Sequence, residues 1–259
     1  MVELVKRKLV TSLDYSAKLD AYNSLVEKIK GCEKLNSCNE NVPDCYRLEK
    51  CLWCDEVNLW SYWLGGRNNL DAKILVVGQD WGNINGRTLN TLKYPTDGNP
   101  TDQRLCRLFD VLGYDIRKGN ADPKNRDLFF TNFVLCYRVD KEGGGYQSKW
   151  GKNCSNYFSE LISIIEPKVI LCLGQATYNA VRHAAGLRSS CEARYNDTIE
   201  GGWKQIKFGD VSAVVFPLAH PGGFGTSNRA RPARADGKSG EQLQIEDWEK
   251  VLPHLTYIN

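Results

Sequence analysis

The chain has 259 residues, 42% hydrophobic and 25% charged, which is enough apolar matter for a full core and excludes wholesale disorder. No apolar run reaches the roughly 18 residues a membrane span needs. The opening Met-Val-Glu-Leu-Val-Lys-Arg-Lys lacks an apolar signal core, so a cytoplasmic protein is expected. The net charge of +3 neither requires nor excludes a nucleic-acid partner.

In chain order, Leu19, Tyr22, Leu25, Val26 and Ile29 recur at helical spacing and predict an amphipathic helix from about Leu13 to Lys30. An aperiodic stretch follows in which Cys32, Cys38, Cys45, Cys51 and Cys54 crowd together, half of the ten cysteines. Disulfides are disfavoured in the cytosol, so metal binding or simple burial is the default for these thiols. Residues 1–50 are read as a helical, cysteine-rich extension, and residues 51–259 as one α/β domain.

Ile74 to Val77 is four apolar residues, three of them β-branched, and predicts a strand buried on both faces. It ends in Gly78-Gln79-Asp80-Trp81-Gly82. The polar stretch Asn83 to Asp102 predicts a long loop, and Thr101 a cap for a helix from Asp102 to Leu112. Leu128 to Val134 predicts a second strand, Lys152 to Ile165 a helix, Val169 to Leu173 a third strand, and Ala176 to Ala185 a helix. β-like stretches at Ile206–Phe208 and Ala213–Phe216 lead into Pro217-Leu218-Ala219-His220-Pro221-Gly222-Gly223-Phe224-Gly225, and a last helix spans about Gln242 to Leu252. Strands alternating with helices imply a parallel-type sheet covered on both faces.

Asp80, Asn132 and His220 each fall at or near the end of a predicted strand, where open α/β sheets bind ligands. A carboxylate can orient water, an amide can read a donor and an acceptor together, and a histidine can donate to an oxygen gaining charge. Their bland alternatives are a helix cap, a buried structural amide and a turn histidine. Arg229, Arg231, Arg234 and Lys238 fall within ten residues whose only acid is Asp236; this reads either as a solvated loop or as a phosphate-contacting segment.

Gly78-Gln79-Asp80-Trp81-Gly82 resembles the first motif of uracil-DNA glycosylases, which in one family is Gly-Gln-Asp-Pro-Tyr-His. Phe129-Phe130-Thr131-Asn132-Phe133-Val134 resembles the strand whose asparagine reads uracil. Val169 to Gly174 with Ala176 resembles the next strand and its Leu-Gly turn, and Val215 to Pro221 the closing His-Pro-Ser motif. The four occur in the family's order between about Lys73 and Asn228. The resemblance implies a three-layer α/β/α fold around a mostly parallel four-stranded sheet, and a monomer. It implies hydrolysis of the N-glycosidic bond of uracil, or a related deaminated base, in DNA, after the base is flipped from the stack.

By the same resemblance Asp80 and His220 are catalytic: Asp80 orients the water and His220 stabilises the leaving uracil anion. Asn132 reads the base, with Gly78 and Gln79 beside it and either Trp81 or Tyr94 stacking on it. Pro221, Gly222 and Phe224 would meet DNA, Phe224 as a wedge in the vacated stack, and Arg229 and Arg231 would meet phosphates.

Cys51-x2-Cys54, with Cys136 four residues after Asn132 and Cys154 beyond it, resembles the ligand set of the family 4 enzymes and implies a [4Fe–4S] cluster. Four thiolates suit zinc equally, and Cys136 and Cys154 also read as small buried hydrophobes. Cys32, Cys38 and Cys45 match nothing in that set.

The chain departs from both patterns. Family 4 enzymes usually carry Gly-Glu-x-Pro-Gly at the first motif, Gly82 falls where a methyl-excluding tyrosine stands elsewhere, and Gly222 replaces the serine of His-Pro-Ser. Two alternatives to the glycosylase are an inactive nucleic-acid-binding module with a structural metal cluster, and a hydrolase of a free nucleoside or modified base.

Overall fold

The protein is described by a computed structural model over residues 14–30, 32, 66–80, 99–134, 148–188, 194–230 and 237–256. Helix α1 (Tyr15–Lys30) begins where Asp14 accepts the amide of Ala17 at 2.8 Å and buries Tyr22, Leu25, Val26 and Ile29, the face its periodicity marks. Among the described residues the further strands and α-helices are β1 (Ile74–Gly78), α2 (Pro100–Val111), β2 (Leu128–Asn132), α3 (Ser148–Ile165), β3 (Val169–Leu173), α4 (Gln175–Ala184), α5 (Tyr195–Glu200), β4 (Lys204–Phe208), β5 (Val211–Leu218), α6 (Gly223–Ala230), α7 (Gly240–Glu249) and α8 (Leu252–Leu255).

Among the described residues the sheet has five strands, one more than the resemblance implies, in the order β2-β1-β3-β5-β4. β2, β1, β3 and β5 are parallel, and β4 pairs antiparallel with β5 at the edge. The parallel strands are nearly continuous apolar runs because helices cover both faces. Alternate residues serve opposite layers. Leu75, Val77, Phe129, Ile170, Cys172 and Val215 pack with α1, α3 and α4. Ile74, Val76, Leu128, Phe130, Leu171 and Phe216 pack with α2, α7 and α8, where Phe109 meets Trp248 edge-on at 5.0 Å between ring centres.

This is the expected three-layer α/β/α arrangement. The α2 cap differs from expectation: Asn99, not Thr101, accepts the amide of Thr101 at 2.9 Å, and Pro100 occupies the first turn, where its missing amide costs nothing. α6 occupies residues expected to be loop. Among the described residues no helix is long and apolar enough to cross a membrane.

The order places the site. From β1 the chain goes to β2 on one side, then returns to β3 on the other. That reversal opens a crevice at the carboxyl ends of β1 and β3, where doubly wound sheets bind ligands.

Candidate active site

The register sets the heights of the three polar residues. Gly78 pairs with Asn132 across β1 and β2, and Leu173 pairs with Leu218 across β3 and β5. Asp80 and His220 each follow two residues after such a rung, and Asn132 sits on one. All three therefore stand at the same end of one sheet, around its reversal point.

The ladder continues past β1 and β2. Phe133 N donates to Gly78 O at 2.8 Å and Val134 N to Gln79 O at 2.9 Å. These bonds fasten the turn carrying Asp80 to the end of β2. Gln79 Nε2 lies 3.2 Å from Asp80 Oδ1, so the amide donates to the carboxylate. Asn132 lies over Gly78: a Cβ on residue 78 would stand 2.5 Å from Asn132 Oδ1. Only glycine leaves the amide this room.

His220 follows β5. Gly222 N donates to His220 Nδ1 at 2.9 Å, which makes Nδ1 an acceptor and leaves the proton on Nε2. Burial lowers the pKa of the ring from its ordinary 6.5. The residue nevertheless has considerable exposed area. The two facts are compatible because the ring opens to a cavity yet is crowded behind by backbone. A Cβ on Gly222 would come 2.9 Å from Nδ1, and one on Gly225 would come 2.9 Å from His220 Cβ. Desolvation of the ring favours its uncharged form, and with Nδ1 accepting from Gly222 N the ring's remaining donor is Nε2.

A cavity of about 1030 Å³ opens beside His220. Its wall includes Gln79, the Gly174-Gln175 turn after β3, Asn179 and His183 of α4, Lys152 of α3, Tyr195 and Asn196 of α5, and Phe224 of α6. Asp80 and Asn132 are not part of that wall, so the cavity continues the site on the His220 side rather than enclosing all three residues.

A model of the uracil DNA glycosylase superfamily matches residues 66–244, more than half of the chain. The chain belongs to the uracil DNA glycosylase superfamily. The match runs from just before β1 into α7 and takes in Asp80, Asn132 and His220. A search of curated proteins returns no match.

Membership of the uracil DNA glycosylase superfamily directs attention to each expected residue. Gly78, Gln79, Asp80, Asn132 and His220 gather as described. Pro221 is buried, with its carbonyl held by Arg104, and Gly222 serves the histidine ring through its amide. Phe224 is 91% exposed at the start of α6, on the rim of the cavity.

Arg229 requires a correction. It is 2% exposed, with Nε 2.6 Å and Nη2 3.0 Å from the Asp247 carboxylate and Nη1 3.3 Å from Glu200. Its fork is committed to two carboxylates, so it ties α6 to α7 and α5 instead of meeting phosphate. Trp81, Tyr94, Arg231, Cys51, Cys54 and Cys136 lie outside the described residues. Cys154 is buried on the first half of α3, facing the layer that holds α1. Among the described residues no cluster of three metal-binding side chains occurs.

Sequence reasoning missed Gln244, Arg104 and Thr226, which surround the His220 loop. Gln244 left one signal: an amide beside Leu243 on the inward face of a short helix.

Proposed function

We propose that this protein removes uracil, or a related deaminated base, from DNA by hydrolysing its N-glycosidic bond. The observation that carries the reading is His220: neutral, with Nδ1 occupied by Gly222 N–H and Nε2–H free to donate, on the same sheet end as Asp80 and Asn132. As the bond to the sugar breaks, the pyrimidine leaves with negative charge on an oxygen. A preorganised neutral donor at that oxygen stabilises the charge as it develops. Asp80, steadied by Gln79, aligns a water for attack on the sugar carbon and offsets the positive charge there. Asn132 offers one acceptor and one donor to the edge of the base, and cytosine presents the reverse pattern.

The base must leave the duplex for this chemistry, because the bond is out of reach within the stack. Phe224, exposed beside the cavity, would fill the space it vacates. Oligonucleotides with a single uracil, single- and double-stranded, incubated with purified protein and then probed for abasic sites, test the reading. Alkali-labile product at the uracil supports it. Oligonucleotide binding without product favours the inactive binding module instead.

We further propose that Cys51, Cys54, Cys136 and Cys154 hold a [4Fe–4S] cluster. The donor chemistry, four thiols, fits that group, and the buried thiol of Cys154 is shielded as such a ligand needs to be. Bound, the group would cross-link the segment before β1 to the segments after β2 as a structural tie. A brown preparation absorbing near ~400 nm supports this, and a colourless one with one zinc per chain, prepared without oxygen, refutes it.

A further inference from the structure

His220 stands on the four residues from Ala219 to Gly222, which belong to no strand or helix. Their carbonyls are held in turn by side chains from three elements. Gln244 Nε2 of α7 donates to Ala219 O at 3.4 Å and to His220 O at 3.0 Å. Arg104 Nη1 of α2 donates to Pro221 O at 2.6 Å. The Thr226 hydroxyl of α6 lies 3.2 Å from Gly222 O and 3.1 Å from Gln244 Oε1, and its one proton serves either acceptor.

Gln244 is 1% exposed. A buried amide is costly unless partnered, and this one finds its partners on the histidine loop and on Thr226. Gly225 presses on the same loop: a Cβ there would stand 2.1 Å from His220 O. Glycine at 225 thus leaves that oxygen room to accept from the Gln244 amide.

We propose that Gln244, oriented by Thr226 and assisted by Arg104, is a positioning residue for catalysis: it holds the Ala219 and His220 carbonyls so that Gly222 N–H remains on Nδ1 and the ring presents Nε2–H to the departing base. The proposal rests on His220 being the donor to that base. Gln244 touches no reacting atom. The bond from Gly222 to Nδ1 closes a tight loop over three residues, so a small relaxation of the backbone beneath it breaks the bond and frees the ring to turn. Among the described residues, the charged or titratable groups around the loop and its cavity are Arg104 on α2, Lys152 on α3, His183 on α4, Arg194 and Asp197 at α5, and Arg229 on α6, the last paired with Asp247 and Glu200. Replacing the Gln244 amide removes no charge, so any change in the ionisation of His220 must pass through geometry.

The chain has three histidines, so ring-15N labelling gives a simple spectrum in which His220→Gln identifies the relevant signals. Wild type is compared with Gln244→Met, which keeps volume and loses both donors, and with Thr226→Val, which frees the amide to turn. In Gln244→Met the coupling between Gly222 N and His220 Nδ1 is expected to vanish, and the ring to titrate closer to the ordinary 6.5. Turnover on a uracil oligonucleotide should fall about ten- to a hundredfold, with KM within about twofold of wild type. Thr226→Val should move both ring signals the same way by less. A folded Gln244→Met protein that retains the wild-type coupling and titration overturns the proposal. If Gln244→Met does not fold, Thr226→Val decides on the same two ring signals. If the wild type releases no base, the catalytic role of His220 falls, and the ring data still decide separately whether Gln244 holds the loop.

Discussion

Gly78 and Asn132 show how much of this site is decided atom by atom. The asparagine amide occupies space that any side chain at residue 78 would take, with Oδ1 2.5 Å from where a Cβ would stand. In Gly78→Ala the amide must move or the strands must part. The expected outcome is a folded protein destabilised by about 1–3 kcal/mol whose kcat/KM for uracil release falls about a hundredfold. Denaturant melts and steady-state kinetics check it, and wild-type kinetics in the alanine variant would contradict the close approach.

His220 adds a pH dependence. Its folded pKa lies below its ordinary value of 6.5. On acidification the unfolded chain takes up a proton at His220 before the folded chain does, so stability falls as pH drops below 6.5 toward the folded pKa. Above that window His220 contributes no slope. Urea unfolding followed between neutral and mildly acidic pH should show a shallower acid loss in His220→Gln than in wild type.

Among elements, α6 carries the most unexpected structure. The run Pro221-Gly222-Gly223-Phe224-Gly225 reads as loop because glycine disfavours helix. From Gly223 on it is helical, held by tertiary contacts: Arg229 on Asp247 and Glu200, and Asn196 Nδ2 donating to Asn228 O at 2.9 Å. None of these partners is near in sequence, so the arginine could only be read as one more basic residue in a charged loop. Arg229→Met leaves buried Asp247 with Lys250, 3.0 Å from Oδ1, as its remaining cation, at an expected cost of up to about 3 kcal/mol. A thermal or urea melt measures it, and an unchanged midpoint would contradict the buried pair.

Phe224 is the reverse case, fully legible as an exposed aromatic on a glycine-flanked tip. Phe224→Ala should leave the melt unchanged. It should slow base release from duplex more than from single-stranded DNA, since only the duplex has a stack to hold open. Equal slowing on both substrates would remove Phe224 from flipping.

At the scale of the whole molecule, the parallel core was readable because strands buried on both faces leave continuous β-branched and aromatic runs. β1, β2 and β3 carry that mark throughout and β5 over its second half. β4 does not: it is exposed at all but two residues, as suits an antiparallel edge, and although Ile206–Phe208 reads as β-like, the four-stranded sheet implied by the resemblance is one strand narrower than the five found among the described residues. Strand order was not readable from periodicity, yet it is the reversal between β1 and β3 that makes the crevice. Asp80, Asn132 and His220 were visible as polar residues ending apolar runs. Gln244, Arg104 and Thr226 were not, because their task is set by carbonyls of a loop more than a hundred residues from Arg104 in sequence.

Asp80 and His220 stand at the same end of the sheet, and in the proposed reaction they break the glycosidic bond of a flipped uracil. Single-turnover release of free uracil from one oligonucleotide by wild type, Asp80→Asn and His220→Gln tests it most directly. Measurable release by wild type is expected, with a fall of about 100-fold or more in each variant and oligonucleotide binding retained. Release by Asp80→Asn at the wild-type rate would contradict it.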